Sequence, residues 1–116
     1  MSERRYTVWY SLPAKTDLKA IYRYIAVNLK ARATAKGQTD RIRKEIKDLT
    51  LFPEKFPAVD WEPWSSKNVR KMPVDNFIVY YRVTHGDQSV EVVRIFYGGR
   101  DIENIIKDNE SLPNEG

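Results

Sequence analysis

The sequence contains no cysteine and a single histidine. The first absence excludes disulfides, thiolate metal sites and cysteine nucleophiles, and the second removes the usual multi-histidine metal centres. No apolar run approaches the roughly 20 residues that a membrane-spanning helix needs. The basic start, Met1 to Arg5, leads into a strand pattern instead of the apolar stretch of a secretory signal. Internal repeats and low-complexity tracts are also lacking. These absences set the expectation of a cytoplasmic chain with no membrane contact, no metal and no cofactor.

What is present suits a folded domain. Hydrophobic residues make up 41% and aromatics 12% of 116 residues, enough for one domain with one core. A net charge of +4 and a pI near 9.3 fit a nucleic-acid or acidic protein partner and require neither.

Tyr6-Thr7-Val8-Trp9-Tyr10 is rich in β-formers and predicts a first strand. Ser11 can cap the helix that follows, and Pro13 is tolerated in its first turn. From Ala14 to about Lys30, Leu18, Ile21, Ile25 and Leu29 recur at helical spacing. Ala31 to Gly37 is a weak patch. Ile42, Ile46 and Leu49 then mark a second amphipathic helix that ends before Pro53. A proline-rich loop carrying Trp61 and Trp64 precedes three strands, Val69–Val74, Phe77–Thr84 and Ser89–Tyr97. The two tryptophans are expected to pin the loop to the sheet, and His85 reads as a turn residue beside Gly86. Gly98-Gly99 breaks the last strand, and Asp101 caps a short helix with Ile102, Ile105 and Ile106 on one face. The order β-α-α-β-β-β with a C-terminal helix predicts an α+β fold, a helical hairpin packed on a mostly antiparallel sheet. The domain is expected to span residues 1–107, followed by a loose polar tail over 108–116.

Two segments are the most specific: Arg70-Lys71-Met72-Pro73-Val74-Asp75-Asn76-Phe77-Ile78-Val79-Tyr80-Tyr81, and Val93-Arg94-Ile95-Phe96-Tyr97-Gly98-Gly99-Arg100-Asp101. With the element order they resemble the RelE/ParE superfamily of type II toxin–antitoxin toxins, over Tyr6 to Ile106 and most closely its ParE-like, plasmid-stabilisation branch. The resemblance implies a toxin neutralised by a cognate antitoxin, reaching operator DNA only through that antitoxin. ParE-like members act by binding DNA gyrase. RelE-like members are metal-free, ribosome-dependent nucleases that cut mRNA. A third possibility is a detoxified relative kept as an antitoxin-binding regulatory module.

Metal-free cleavage of RNA needs a proton acceptor, a proton donor and cations around the phosphate. Under the nuclease alternative, Lys71 and Arg100 match basic positions of RelE-like enzymes. The tyrosine those enzymes carry on the last helix has no clear counterpart, and Tyr97 is the nearby candidate for its role. The RelE pattern also sets an arginine directly after the aromatic that opens the middle strand, and here that position is Ile78. ParE-like chains usually carry a histidine where this sequence has Tyr97. The cations Lys67, Arg70, Lys71, Arg82, Arg94 and Arg100 are candidates for contact with a target protein or nucleic acid. The bland reading of Arg82 and Arg94 is ion pairing with Glu91, Asp87 or Asp101. Leu18, Tyr22, Ile25, Ile102 and Ile105 are candidates for antitoxin contact, since such antitoxins lay an amphipathic or disordered segment on the toxin.

Overall fold

The computed structural model describes residues 5–111, so the first four residues and residues 112–116, which include most of the expected tail, lie outside it. Strand β1 (Thr7–Tyr10) leads into helix α1 (Leu12–Arg23), which passes into a π-helical turn (Tyr24–Asn28). Helix α2 (Arg32–Asp48) returns beside it. Strands β2 (Val69–Val74), β3 (Phe77–Thr84) and β4 (Ser89–Tyr97) follow, and helix α3 (Ile102–Ser111) ends the described chain. Residues 108–111, expected as tail, continue α3. The sheet order is β1-β4-β3-β2, with β1 parallel to β4 and the other pairs antiparallel, as an α+β reading requires.

Ser11 joins β1 to α1 and satisfies several backbone groups at once. Its hydroxyl accepts from the Ala14 N–H at 3.0 Å and donates to the Val93 carbonyl at 2.8 Å, while its own N–H donates to the Val92 carbonyl at 3.0 Å. The helix cap is thereby also the stitch that ends the β1–β4 ladder. Beyond the π-helical turn, Lys30 takes a φ of 55°, which ends the helical run and reverses the chain into α2. The weak patch Ala31–Gly37 is helical from Arg32 onward. The buried face at the start of α2 is carried by Ala35, Gln38 and Thr39, small or polar residues that leave no strong hydrophobic period.

A β-bulge shapes the sheet. Tyr80 pairs with Arg94 but Tyr81 pairs with Val92, so Val93 is an extra residue. The shift lets Val90, Val92 and Ile95 all reach the core beneath α1 and α2, where they meet Ala14, Leu18, Ile42, Ile46, Met72, Val79 and Tyr81. The opposite face of the sheet is covered as well. Val59, Trp64, Val69, Tyr80, Phe96, Ile102 and Ile106 form a second cluster there. Trp61 and Trp64 stack with centroids 5.2 Å apart, and Trp64 lies 4.8 Å from Tyr80. The tryptophans pin the loop as expected, and α3 joins them. The same loop closes the outer edge of β2: the Lys71 N–H donates to the Pro57 carbonyl at 3.0 Å and the Val59 N–H to the Val69 carbonyl at 2.9 Å.

Candidate functional site

Because β1 is short, it covers β4 only from Ser89 to Val92. The rest of that edge faces α1, and the gap is a cleft of about 590 Å³ lined by Asp17, Ala20, Ile21 and Tyr24 on one side and Ile95, Phe96, Tyr97, Phe77 and Arg100 on the other. Its floor is apolar. Its rim carries two exposed phenols, Tyr24 and Tyr97, and one guanidinium, Arg100.

Asp17 organises the cleft. Arg94 donates to both of its carboxylate oxygens, from Nε at 2.7 Å and from Nη2 at 2.9 Å, and the Ile95 N–H donates to it at 2.9 Å. The bidentate pair is largely shielded, with side-chain exposures of 25% for Arg94 and 13% for Asp17. Arg94 lies 4.5 Å from the Phe96 ring centroid and Arg100 5.4 Å from it. The two cations differ in one respect: Arg94 is neutralised by Asp17, whereas Arg100 makes no ion pair among the described residues. Arg100 is therefore the charge at this rim that remains available to an anion.

Tyr97 is held by its neighbours. Its ring meets Phe77 edge-on at 6.0 Å, and a Cβ placed on Gly99 would sit 2.6 Å from the ring. Glycine at 99 thus lets the phenol fold back over the chain reversal.

The predicted residues do not gather in one place. Tyr97 shares the face of Phe77 and Ile95, toward α1, whereas Lys71 pairs with Tyr80 on the opposite face. Lys71, Tyr97 and Arg100 are thus not assembled around one point. Among the target-binding candidates, Arg82 pairs with Glu91 at 3.6 Å, one of the expected partners. Arg94 pairs with Asp17 and not with Glu91, Asp87 or Asp101, because the free edge of β4 opens its guanidinium toward α1. Arg70 donates to the Phe56 carbonyl at 2.6 Å and lies 3.7 Å from Glu54. Lys67 is exposed just before β2, and Lys71 is exposed on it.

The antitoxin candidates are mostly buried. Leu18 lies in the main core, Ile25 packs with Ala26 and Ala35 inside the helical hairpin, and Ile102 sits in the cluster under the tryptophans. Each is under 10% exposed within the chain itself. Ile105 is half-buried, and only Tyr22 is open. Asp17 was missed in the sequence, yet it carries a signal. It falls three residues after Ala14 and four before Ile21, which puts a carboxylate beside the apolar stripe, where it must find a partner.

Among the described residues no group of three or more His, Asp or Glu side chains could hold a metal ion, and no helix is long and apolar enough to cross a membrane. Residues 8–102 match the family model described as the ParE toxin of the type II toxin–antitoxin system parDE. The fold is similar to a chain of the chromosomal ParDE toxin–antitoxin system from P. aeruginosa, with 21% identity, a TM-score of 0.66 and coverage of 82% of this chain and 98% of that one. It is also similar to a chain of the toxin–antitoxin complex RelBE2 from Mycobacterium tuberculosis, with 16% identity, a TM-score of 0.60 and coverage of 80% and 98%. No curated protein matches the sequence.

Proposed function

This chain belongs to the ParE toxin family of type II toxin–antitoxin systems, and on that premise we propose that it arrests growth by binding DNA gyrase instead of cutting RNA. One observation carries the choice. The side chains a metal-free nuclease would need, Lys71 and Tyr97, lie on opposite faces of the sheet. No single phosphate can meet both, and proton transfer requires approach to about 3 Å. Ile78 in place of a charge-stabilising arginine points the same way. A binding toxin needs no such convergence; it needs an apolar cleft with a charge at the rim, which Tyr24, Tyr97 and Arg100 supply.

A cognate antitoxin is the second partner in this reading. The outer end of the helical hairpin exposes Tyr22, Tyr24, Val27 and Leu29 together, an apolar surface suited to an amphipathic segment. The test is a side-by-side assay of purified gyrase supercoiling and cell-free translation. Supercoiling is expected to fail while translation continues, and Arg100→Ala is expected to weaken the inhibition about tenfold. Translation failing with supercoiling intact would overturn the proposal.

A further inference from the structure

At the end of β4 remote from the cleft, the single histidine of the chain sits in a relay. The Tyr6 hydroxyl is 2.8 Å from His85 Nδ1, and His85 Nε2 is 2.8 Å from Glu54 Oε2. A carboxylate can only accept, so Nε2 carries the proton in the neutral ring and Nδ1 is left as an acceptor. Tyr6 is then the donor to Nδ1. The three side chains come from the residue just before β1, from the loop after α2 and from the β3–β4 turn, so sequence proximity does not explain their meeting.

Each member is held in place. The Tyr6 N–H donates to the Thr50 carbonyl at 2.9 Å, and the Tyr6 ring meets the imidazole edge-on at 5.8 Å. Arg70 lies 3.7 Å from Glu54 and pairs with its carboxylate. The relay borders a shallow groove of about 650 Å³ whose lining includes Leu51, Phe52, Pro53 and Lys55. A hydroxyl hydrogen-bonded to a base, a base oriented by a carboxylate, and an adjoining groove with apolar walls and a cation form the arrangement of an activated nucleophile.

We propose that Tyr6 is such a nucleophile, an acyl-accepting phenol activated by His85 toward small aryl esters held in the groove. The Tyr6 oxygen attacks the ester carbonyl carbon as its proton passes to His85 Nδ1. Glu54 stabilises the resulting imidazolium, and the Lys55 ammonium is the cation that lines the groove to meet the oxyanion. The carbon–oxygen bond to the leaving group then breaks, and its oxygen takes the proton from His85 Nδ1 to depart as the phenol, which ionises in solution. An acyl ester remains on Tyr6. Water, deprotonated by the same imidazole, can attack this ester to release the carboxylic acid and restore the phenol. The proposal does not depend on what the toxin binds, because the relay and the Arg100 cleft lie at opposite ends of β4.

The probe is p-nitrophenyl acetate with the full chain, following nitrophenolate release and mapping acetyl groups by peptide mass spectrometry. The molecule carries its own controls. Tyr22, Tyr24 and Tyr97 are at least 41% exposed and lack an imidazole partner, while Tyr81 is fully buried. Tyr6 is expected to acetylate on the order of 10²-fold faster than the three exposed tyrosines. His85→Gln should bring it down to their rate with Tyr81 still silent, which certifies the fold, and Tyr6→Phe should remove the burst. Equal rates at all four tyrosines would overturn the proposal. So would a Tyr6 rate unchanged in a folded His85→Gln chain, or an acetyl group carried on His85 in place of Tyr6.

Discussion

Asp17 shows how much one carboxylate can fix. It neutralises Arg94, caps the Ile95 N–H on the open edge of β4 and forms one wall of the cleft. Asp17→Ala leaves a shielded guanidinium without its counter-ion and is expected to cost about 3 kcal/mol in urea unfolding. Replacing both partners, as in Asp17→Leu with Arg94→Met, is expected to cost only ~1 kcal/mol, because no uncompensated charge remains. Recovery in the double variant separates charge compensation from packing. A similar economy holds α2 to the β2–β3 turn. The Arg41 guanidinium and the Gln38 amide hold the Asp75 carboxyl below its usual range while Asp75 takes the left-handed backbone conformation, φ 56°, that reverses the hairpin.

Helix α3 and the tryptophan loop depend on each other, since both cover the same sheet face through Tyr80 and Phe96. Trp64→Ala is expected to destabilise the fold by ~3–5 kcal/mol and to release α3 with the loop. Hydrogen exchange would show the amides of both segments losing protection together. The sequence made the strands legible, because β-branched and aromatic runs bounded by Asp75-Asn76 and His85–Gln88 leave few alternatives. It also showed that Trp61 and Trp64 belong against the sheet. The start of α2 was hidden by Ala35, Gln38 and Thr39, which are buried through close approach and not through hydrophobicity. The parallel β1–β4 pairing and the Asp17–Arg94 bridge were hidden for another reason. They join the two ends of the chain, and local pattern carries no information about which distant segments meet. The candidate cleft was therefore only half legible: Tyr97 and Arg100, singled out in the sequence, both line it, but its wall of α1 was not foreseen. His85, read as a turn residue, gave no hint of Tyr6 or Glu54.

For the whole molecule, pH reports the integrity of the core. Burial pushes the Tyr81 phenol from 10.0 up to about 12, against the opposing pull of Arg70, and its hydroxyl donates to the Pro53 carbonyl at 2.7 Å. Burial raises Tyr80 and Tyr10 as well. Below pH 10 folded and unfolded chains both keep the Tyr81 proton. Between about 10 and 12 the unfolded chain releases it first, so the stability it contributes is present below that window and lost as pH rises through it. The loss is about 2–3 kcal/mol for Tyr81. Urea midpoints measured across this range are expected to fall steeply for the native chain and more gently for Tyr81→Phe.

The long reach of the β1–β4 contacts also sets the order of events while the chain is being made. Ser11 waits for Val93, 82 residues later, Tyr6 for His85 after 79, and Asp17 for Arg94 after 77. Loop closures of that length come late and slowly. During synthesis the helical hairpin and the β2–β3 hairpin can form as soon as they emerge, but β1 has no strand to join until β4 has left the ribosome. Both the Arg100 cleft and the tyrosine relay are thus completed last. A nascent or prematurely ended chain lacks them, and the finished protein acquires both only when nearly all of its sequence has been read.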